Sequence, residues 1–196
     1  MLSIKNNCNN EIIINKSKFI TELIKINNEA DVEENVLSTK KKYPGATHYC
    51  YAYVCNKKSK YNDDGEPSKT AGSPILNVLE SNNLNNILCV VIRYFGGIKL
   101  GVGGLVRAYT KSTTECIKKA NIVNLIEGKK IKIIFSYDNT KQIDYLLKDI
   151  VIENKEYNDF ISYTLSINNY KYNKLHDDFK LLTNEIIEIE NIFIEE

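Results

Sequence analysis

The chain has 196 residues, 43% of them hydrophobic, and its 26 Lys and Arg nearly balance its 25 Asp and Glu to give a net charge of +1. This composition excludes an intrinsically disordered chain and a strongly basic domain of the kind typical of dedicated nucleic-acid binders. No apolar run approaches the roughly 20 residues that span a bilayer, and the five cysteines lack paired spacing, so we expect a cytoplasmic protein with reduced thiols and no membrane association.

The N-terminal part predicts two strands followed by a helix. Apolar runs at 11–14 and 19–24 flank a short polar segment, a pattern typical of two strands joined by a turn. Residues 29–42 carry acids in their first turns and lysines in their last, which complements the helix dipole. Pro44 and Gly45 then end the helix.

The alternating segment 47–55 predicts a further strand. Its period of two places His48 and Cys50 on one face and the tyrosines at 49, 51 and 53 on the other. We expect the tyrosine face to cover a helix or a second domain, with stacking on RNA bases as the alternative. Residues 56–71 are polar and rich in turn-forming residues.

A short helix and a buried strand precede the most distinctive part of the chain. Ser73 and Pro74 suit the N-cap and first position of a helix, and the apolar run 87–92 predicts a central strand. Residues 93–109, here called the glycine segment, follow that strand and contain five of the nine glycines. The pattern from Gly103 onward predicts a helix.

The remaining residues predict a second, smaller domain. Residues 127–130 suggest a boundary, which divides the chain into domains 1–128 and 129–196. The second domain shows a βαββαβ order typical of the ferredoxin-like fold, so the predicted class is α+β. It has 9 Lys and Arg against 13 Asp and Glu, a net charge of −4, whereas the first has 17 against 12, a net charge of +5.

The glycine segment indicates an anion-binding surface. Glycines allow close backbone approach, and amides at the start of a helix direct N–H groups towards an anion. The segment lacks both the Gly-Lys-Ser/Thr ending of a P-loop and the last glycine of a dinucleotide fingerprint, so we predict no nucleotide cofactor. The predicted ligand-binding residues are Arg93, Gly96, Gly97, Lys99, Gly101, Gly103, Gly104 and Arg107.

Two interpretations of the arginines in this segment stay open. We place Arg107 in the first turn of its helix, where a cation opposes the helix dipole at a cost of up to about 1 kcal/mol. A bound anion between Arg93, Lys99 and Arg107 would compensate. Alternatively, the acids of residues 63–66 fold over and pair with the arginines. That acidic loop is more typical of a turn than of a cation site, and we predict no metal.

His48, Asp64 and Glu66 are the candidate catalytic residues. His48 could act as a general base oriented by one of the two carboxylates, and Cys50 lies on the same strand face as a candidate nucleophile. We favour the alternative, a partly buried histidine and a small core cysteine, because no nucleophile, base and orienting group emerge together.

Three sequence blocks together resemble the IMPACT/YigZ family. They are Ala-Thr-His at 46–48, Asp-Asp-Gly-Glu-Pro-Ser with Thr-Ala-Gly at 63–72, and the glycine segment, and the resemblance extends from residue 17 to about 120. Tyr49 and Lys69 depart from the family pattern, in which we expect Asn and Gly. The resemblance implies an N-terminal α+β domain like those of ribosomal proteins and translational GTPases, a small C-terminal ferredoxin-like domain, and a role around translation.

These observations lead to one principal hypothesis and two rivals. The principal hypothesis is a binding protein that docks on RNA, the ribosome or a translation factor through the glycine segment. The first rival is a hydrolase that acts on a phosphorylated or peptide-like substrate with His48, Asp64 and Glu66. The second is a protein-interaction module whose acidic domain, 129–196, binds a basic partner.

Overall fold

The computed structural model describes residues 1–196 as two compact units, Met1–Asn124 and Leu125–Glu196. Each unit combines helices with an antiparallel sheet, which confirms the predicted α+β class. None of the helices is both long enough and apolar enough to cross a membrane.

The first unit contains an antiparallel sheet in the order β2-β3-β6-β4-β5. The sheet consists of β2 (Cys8–Ile14), β3 (Ser17–Lys25), β4 (His48–Cys55), β5 (Lys58–Asn62) and β6 (Ile87–Tyr94), and a further strand, β1 (Leu2–Ile4), pairs outside it with residues 122–124. Its helices are α1 (Asp31–Lys42), α2 (Gly72–Ser81) and α3 (Gly101–Ile117). Strand β6 is the middle strand, as the apolar run predicts, and residues 87–92 are fully buried.

Both faces of this sheet are covered because its strands alternate apolar side chains between two cores. Phe19, Leu23 and Cys50 belong to the core that also contains residues of α2 and α3. Ile20 and Tyr53 belong to the core that contains residues of α1. The period-two prediction for β4 is therefore confirmed, and its tyrosine face packs with α1, which favours the helix-covering interpretation over base stacking.

Helix α2 begins earlier than its sequence predicts, because a distant side chain caps it. The N-cap is Ala71 rather than Ser73. The Asp63 carboxylate accepts hydrogen bonds from the backbone N–H groups of Ala71 and Gly72, at 3.0 and 2.8 Å. These are donors that a helix start leaves without intrahelical partners.

Strand β5 is a second feature that the sequence does not predict. It lies at the edge of the sheet, and all five of its residues are exposed. An edge strand exposed on both faces has no apolar alternation to reveal it, so its sequence resembles the polar turn predicted for residues 56–71.

Helix α3 begins at Gly101 instead of Gly103. This earlier start places Arg107 in the second turn of the helix, which corrects the prediction that it lies in the first. Because the dipole acts mainly within the first turn, the expected electrostatic cost at Arg107 is largely removed. Arg107 by itself therefore requires no compensating anion.

The second unit has the predicted βαββαβ order. Its elements are β7 (Ile122–Phe135), whose first three residues belong to the first unit, α4 (Thr140–Leu146), β8 (Val151–Tyr157), β9 (Ile161–Asn168), α5 (Asn169–Leu182) and β10 (Glu185–Glu195). The strands pair antiparallel in the order β10-β7-β9-β8. Ile131, Phe135, Leu165 and Phe179 are among the side chains that form the core of this unit.

The boundary predicted at 128/129 falls within β7, and the two units divide at 124/125. Residues 128–130 pair with both β9 and β10 and do not form a linker. Gly128 suggests a turn in the sequence, but its role is a close approach between strands. A Cβ at Gly128 would lie 2.6 Å from the carbonyl oxygen of Ile167.

Candidate functional site

A cleft of about 410 Å³ lies in the first unit, where the start of β4, the end of β6 and the start of α3 meet. This volume falls within the range of pockets that bind small ligands. The sheet register pairs His48, at the start of β4, with Arg93, near the end of β6. The polar residues that line the cleft are Thr47, His48, Glu66, Arg93 and Lys99. The apolar residues that line it are Pro67, Phe95, Leu100, Val102 and Leu105.

Glu66 and Arg93 form a buried ion pair in the wall of the cleft. The Arg93 guanidinium donates to the Glu66 carboxylate at 2.6 Å, and the two side chains are only 6% and 4% exposed, respectively. The same carboxylate oxygen accepts the O–H of Tyr109 at 2.8 Å. The guanidinium also lies 5.5 Å from the ring centroids of Phe19 and Phe95. For Arg93, the interpretation in which the acidic loop pairs with an arginine is the one observed.

His48 is oriented by the loop that carries Glu66. Its Nδ1 lies 2.8 Å from the backbone carbonyl oxygen of Asp64. Because a carbonyl oxygen only accepts, Nδ1 carries the proton in this contact, and the lone pair of the neutral ring is on Nε2. Nε2 lies 3.9 Å from the free oxygen of the Glu66 carboxylate. A basic nitrogen and a carboxylate oxygen therefore lie close together in the lining of the cleft.

The other two acids of the loop hold its backbone in place. Asp63 accepts from the N–H groups of Lys69, Ala71 and Gly72. The Asp64 carboxylate accepts the N–H of Tyr49 at 2.6 Å. Of the three candidate catalytic residues, the structure thus brings His48 and Glu66 together, whereas Asp64 contributes its carbonyl and not its carboxylate. No group of three or more His, Cys, Asp and Glu side chains has a metal-binding arrangement.

Cys50 is buried behind this cluster and is not an activated nucleophile. Its Sγ lies 3.0 Å from the carbonyl oxygen of Asp63 and 3.3 Å from the hydroxyl of Tyr109. Burial raises the pKa of Cys50 to about 12 and also raises the pKa of Tyr109. Since the thiolate is the reactive form, Cys50 fits the core-cysteine interpretation.

The predicted ligand-binding residues occupy three different environments. Arg93 is buried in the ion pair, Lys99 is exposed and lines the cleft, and Arg107 is exposed on α3 outside the lining. Among the five glycines, Gly101 lines the cleft. Gly96 has a packing role, since a Cβ there would lie 2.0 Å from the backbone of the turn between β2 and β3.

Sequence reasoning misses Tyr109 and the apolar lining of the cleft. Tyr109 belongs to the third of the three sequence blocks, and its helical stripe predicts only that it is buried. The signal for the apolar lining is the mixture of large apolar residues with glycines in the glycine segment, where Phe95 and Val102 are exposed. Exposed apolar side chains that lie together, as these two do in the lining of the cleft, are typical of interaction sites.

Comparisons with known proteins agree with the resemblance of the three blocks. The Impact N-terminal domain family matches residues 15–117. The IMPACT family member YvyE of Bacillus subtilis (strain 168) is 40% identical over 184 residues, which cover 82% of this chain and 83% of YvyE.

The chain belongs to the IMPACT family.

Two further similarities extend this assignment. The IMPACT family member YigZ of Escherichia coli (strain K12) is 33% identical over 155 residues, covering 76% of each chain. A crystal structure described as that of a hypothetical protein matches with a TM-score of 0.73 and 28% identity, over 96% of this chain and 97% of the other. The similarity to IMPACT proteins thus includes residues of both units.

Proposed function

We propose that this IMPACT family protein is a translation-associated binding protein. Its first unit binds an anionic group of RNA, the ribosome or a translation factor at the cleft and the adjoining glycine segment. Family membership supports the association with translation, because the resemblance to IMPACT proteins implies a role there. The charge distribution around the cleft supports the anionic ligand.

The observation that carries this proposal is that some charged side chains at the cleft are paired and buried, whereas others are exposed. Glu66, the one acid among the cleft-lining residues, is neutralised by Arg93. Lys99 at the cleft and Arg107 on α3 are exposed. Leu100, at the N-cap of α3, supplies no side-chain acceptor, so the first amides of the helix are donors for an anion. In this proposal Lys99 and Arg107 contact the ligand, and Arg93 shapes the wall.

RNA binding and ribosome co-sedimentation test this proposal at two salt concentrations. The double variant Lys99→Ala/Arg107→Ala is compared with Lys60→Ala/Lys111→Ala, which removes two exposed lysines outside the cleft. If both cations contact phosphates, the first variant binds RNA more weakly. The slope of the logarithm of its affinity against the logarithm of the salt concentration also becomes shallower by about 2, because each phosphate contact contributes about one unit. Equal binding by both variants and the unaltered protein contradicts the proposal.

A hydrolase is the second candidate, and the geometry of His48 is the observation that favours it. The ring is held by the Asp64 carbonyl, and its basic Nε2 and the free Glu66 oxygen are 3.9 Å apart. Such a pair could activate a water molecule that attacks a phosphoryl or acyl group. A screen with phosphoester, peptide and ester substrates tests this candidate. Loss of an observed activity in His48→Ala, but not in Asp64→Asn, supports it, whereas equal activity of His48→Ala and the unaltered protein refutes it.

A further inference from the structure

We infer that the cleft binds the carboxyl terminus of a peptide chain whose last residue is apolar. This inference rests on the proposed function, because it uses the same cleft and the same exposed lysine. It narrows the anionic group to a terminal carboxylate and the ligand to a protein.

The polar part of the cleft can bind one carboxylate. The Arg93 side chain is 6% exposed, donates to Glu66 through one terminal nitrogen, and has no hydrogen-bond partner for its Nε–H within the chain. A buried guanidinium N–H without a partner is uncommon in folded proteins. Lys99 and the uncapped amides at the start of α3 add further donors on the same lining. The charge of one carboxylate matches the single unpaired cation of the lining, Lys99.

The apolar part of the cleft adjoins these donors and argues for a side chain attached to the same group. Pro67, Leu100 and Leu105 line the cleft together with Lys99. In the last residue of a chain, the carboxylate and the side chain are attached to the same Cα, so both can enter one cleft of about 410 Å³. A phosphate group, by contrast, carries no aliphatic side chain of its own that would fill this part of the cleft.

The surface around the cleft indicates that the ligand continues beyond it. Phe95, Ile98 and Val102 are exposed large apolar residues within eight positions of the chain. Ile98 does not line the cleft, so a small molecule bound inside would leave it exposed. Clustered exposed apolar side chains with polar surroundings are typical of interaction sites. A peptide that leaves the cleft over this surface would cover them and gain affinity from their burial.

The test begins with selection by the full-length protein from displayed random hexapeptides that have free carboxyl ends. Enriched peptides are then synthesised with either a free carboxylate or a carboxamide and compared by fluorescence anisotropy. We expect enrichment of Leu, Ile or Phe at the last position. We also expect the carboxamide to bind at least about tenfold more weakly, since it lacks a charge-assisted contact. No enrichment at the last position, or equal binding of acid and amide, overturns the inference.

Variants of the protein localise the binding. Lys99→Ala removes the exposed cation, and Val102→Asp places a negative charge at an exposed position in the lining of the cleft. Each should weaken binding of the free-acid peptide by about tenfold. Lys111→Ala, on the exposed surface of the same helix, should leave it within about twofold. If Lys99→Ala and Val102→Asp bind the peptide as tightly as Lys111→Ala does, the assignment to this cleft is overturned.

The outcomes also separate this inference from the proposed function. If RNA or ribosomes bind through Lys99 and Arg107 while no peptide is enriched, the inference fails and the proposed function stands. If peptides bind as expected and neither RNA nor ribosomes bind, a peptide-binding role stands and RNA and the ribosome are excluded as partners.

Discussion

Substitution of Glu66 by Gln tests whether the buried ion pair with Arg93 stabilises the first unit. The two side chains are 4% and 6% exposed, and the carboxylate and guanidinium are 2.6 Å apart. The introduced glutamine amide would fill the same space and could still accept the O–H of Tyr109. It would leave the charge of Arg93 buried without a counter-ion. Loss of one member of a buried pair lowers the free energy of unfolding by about 3–5 kcal/mol.

The same substitution at Glu11 provides a matched control. Glu11 lies 3.8 Å from Lys18 in the same unit, but these side chains are 50% and 42% exposed. Water screens such a pair, and exposed pairs contribute about 0–1 kcal/mol. Glu11→Gln should therefore lower the free energy of unfolding by less than about 1 kcal/mol.

Urea unfolding followed by far-ultraviolet circular dichroism measures both effects, and the chain has no tryptophan for a fluorescence readout. A change in midpoint at constant m value reports a change in stability. The double variant Glu66→Leu/Arg93→Met removes both charges, and it should recover most of the loss if the unpaired cation is its cause. The reasoning is refuted if Glu66→Gln costs no more than Glu11→Gln.

Three further substitutions or labelling experiments test other parts of the first unit. Gly96→Ala should lower the free energy of unfolding in urea by several kcal/mol, because its Cβ would lie 2.0 Å from the backbone of the adjoining turn. Gly97→Ala meets no atom within 4 Å, so it should cost only the strain of its φ of +84°, about 1 kcal/mol. Equal costs of the two variants would contradict this. Asp63→Ala removes the acceptor of three backbone N–H groups and should lower the unfolding free energy by about 1–2 kcal/mol, as loss of a helix cap does; an unchanged midpoint would argue against the capping role. Burial raises the pKa of Cys50 to about 12, so very little of its thiolate is present at pH 8. Burial also raises the pKa of Cys8, but this cysteine is only half-buried. Mass spectrometry of the alkylated native protein should therefore find Cys8 modified well before Cys50, and equal rates at pH 8 would count against the burial of Cys50.

Segments with a clear period were predictable from the sequence alone. The alternation of 47–55 correctly assigns Cys50 and Tyr53 to opposite faces of β4. The continuous apolar run 87–92 correctly predicts the central strand β6. The predicted order of strands and helices in the second unit is also correct.

Features that depend on distant partners were not predictable. The start of α2 depends on Asp63, eight residues before the N-cap residue Ala71. Gly128 suggests a boundary by its residue type, and only the neighbouring strand explains why glycine is needed there. The exposed edge strand β5 carries no apolar pattern at all. For α2 and Gly128 the deciding contact joins separate segments of the chain, and β5 has no apolar pattern to detect.

The different environments of the three cations of the glycine segment were not predicted from the sequence. The cations look equivalent as charges, but period two from Cys89 and Val91, which face the core with α2 and α3, directs Arg93 to the same buried side of β6. A buried guanidinium requires a counter-ion, and Glu66 supplies it from a loop whose position no local pattern reveals. Lys99 and Arg107 lie beyond the strand and stay exposed. If the proposed function holds, substitution of Lys99 or Arg107 should therefore weaken ligand binding, whereas substitution of Arg93 should lower the stability of the fold.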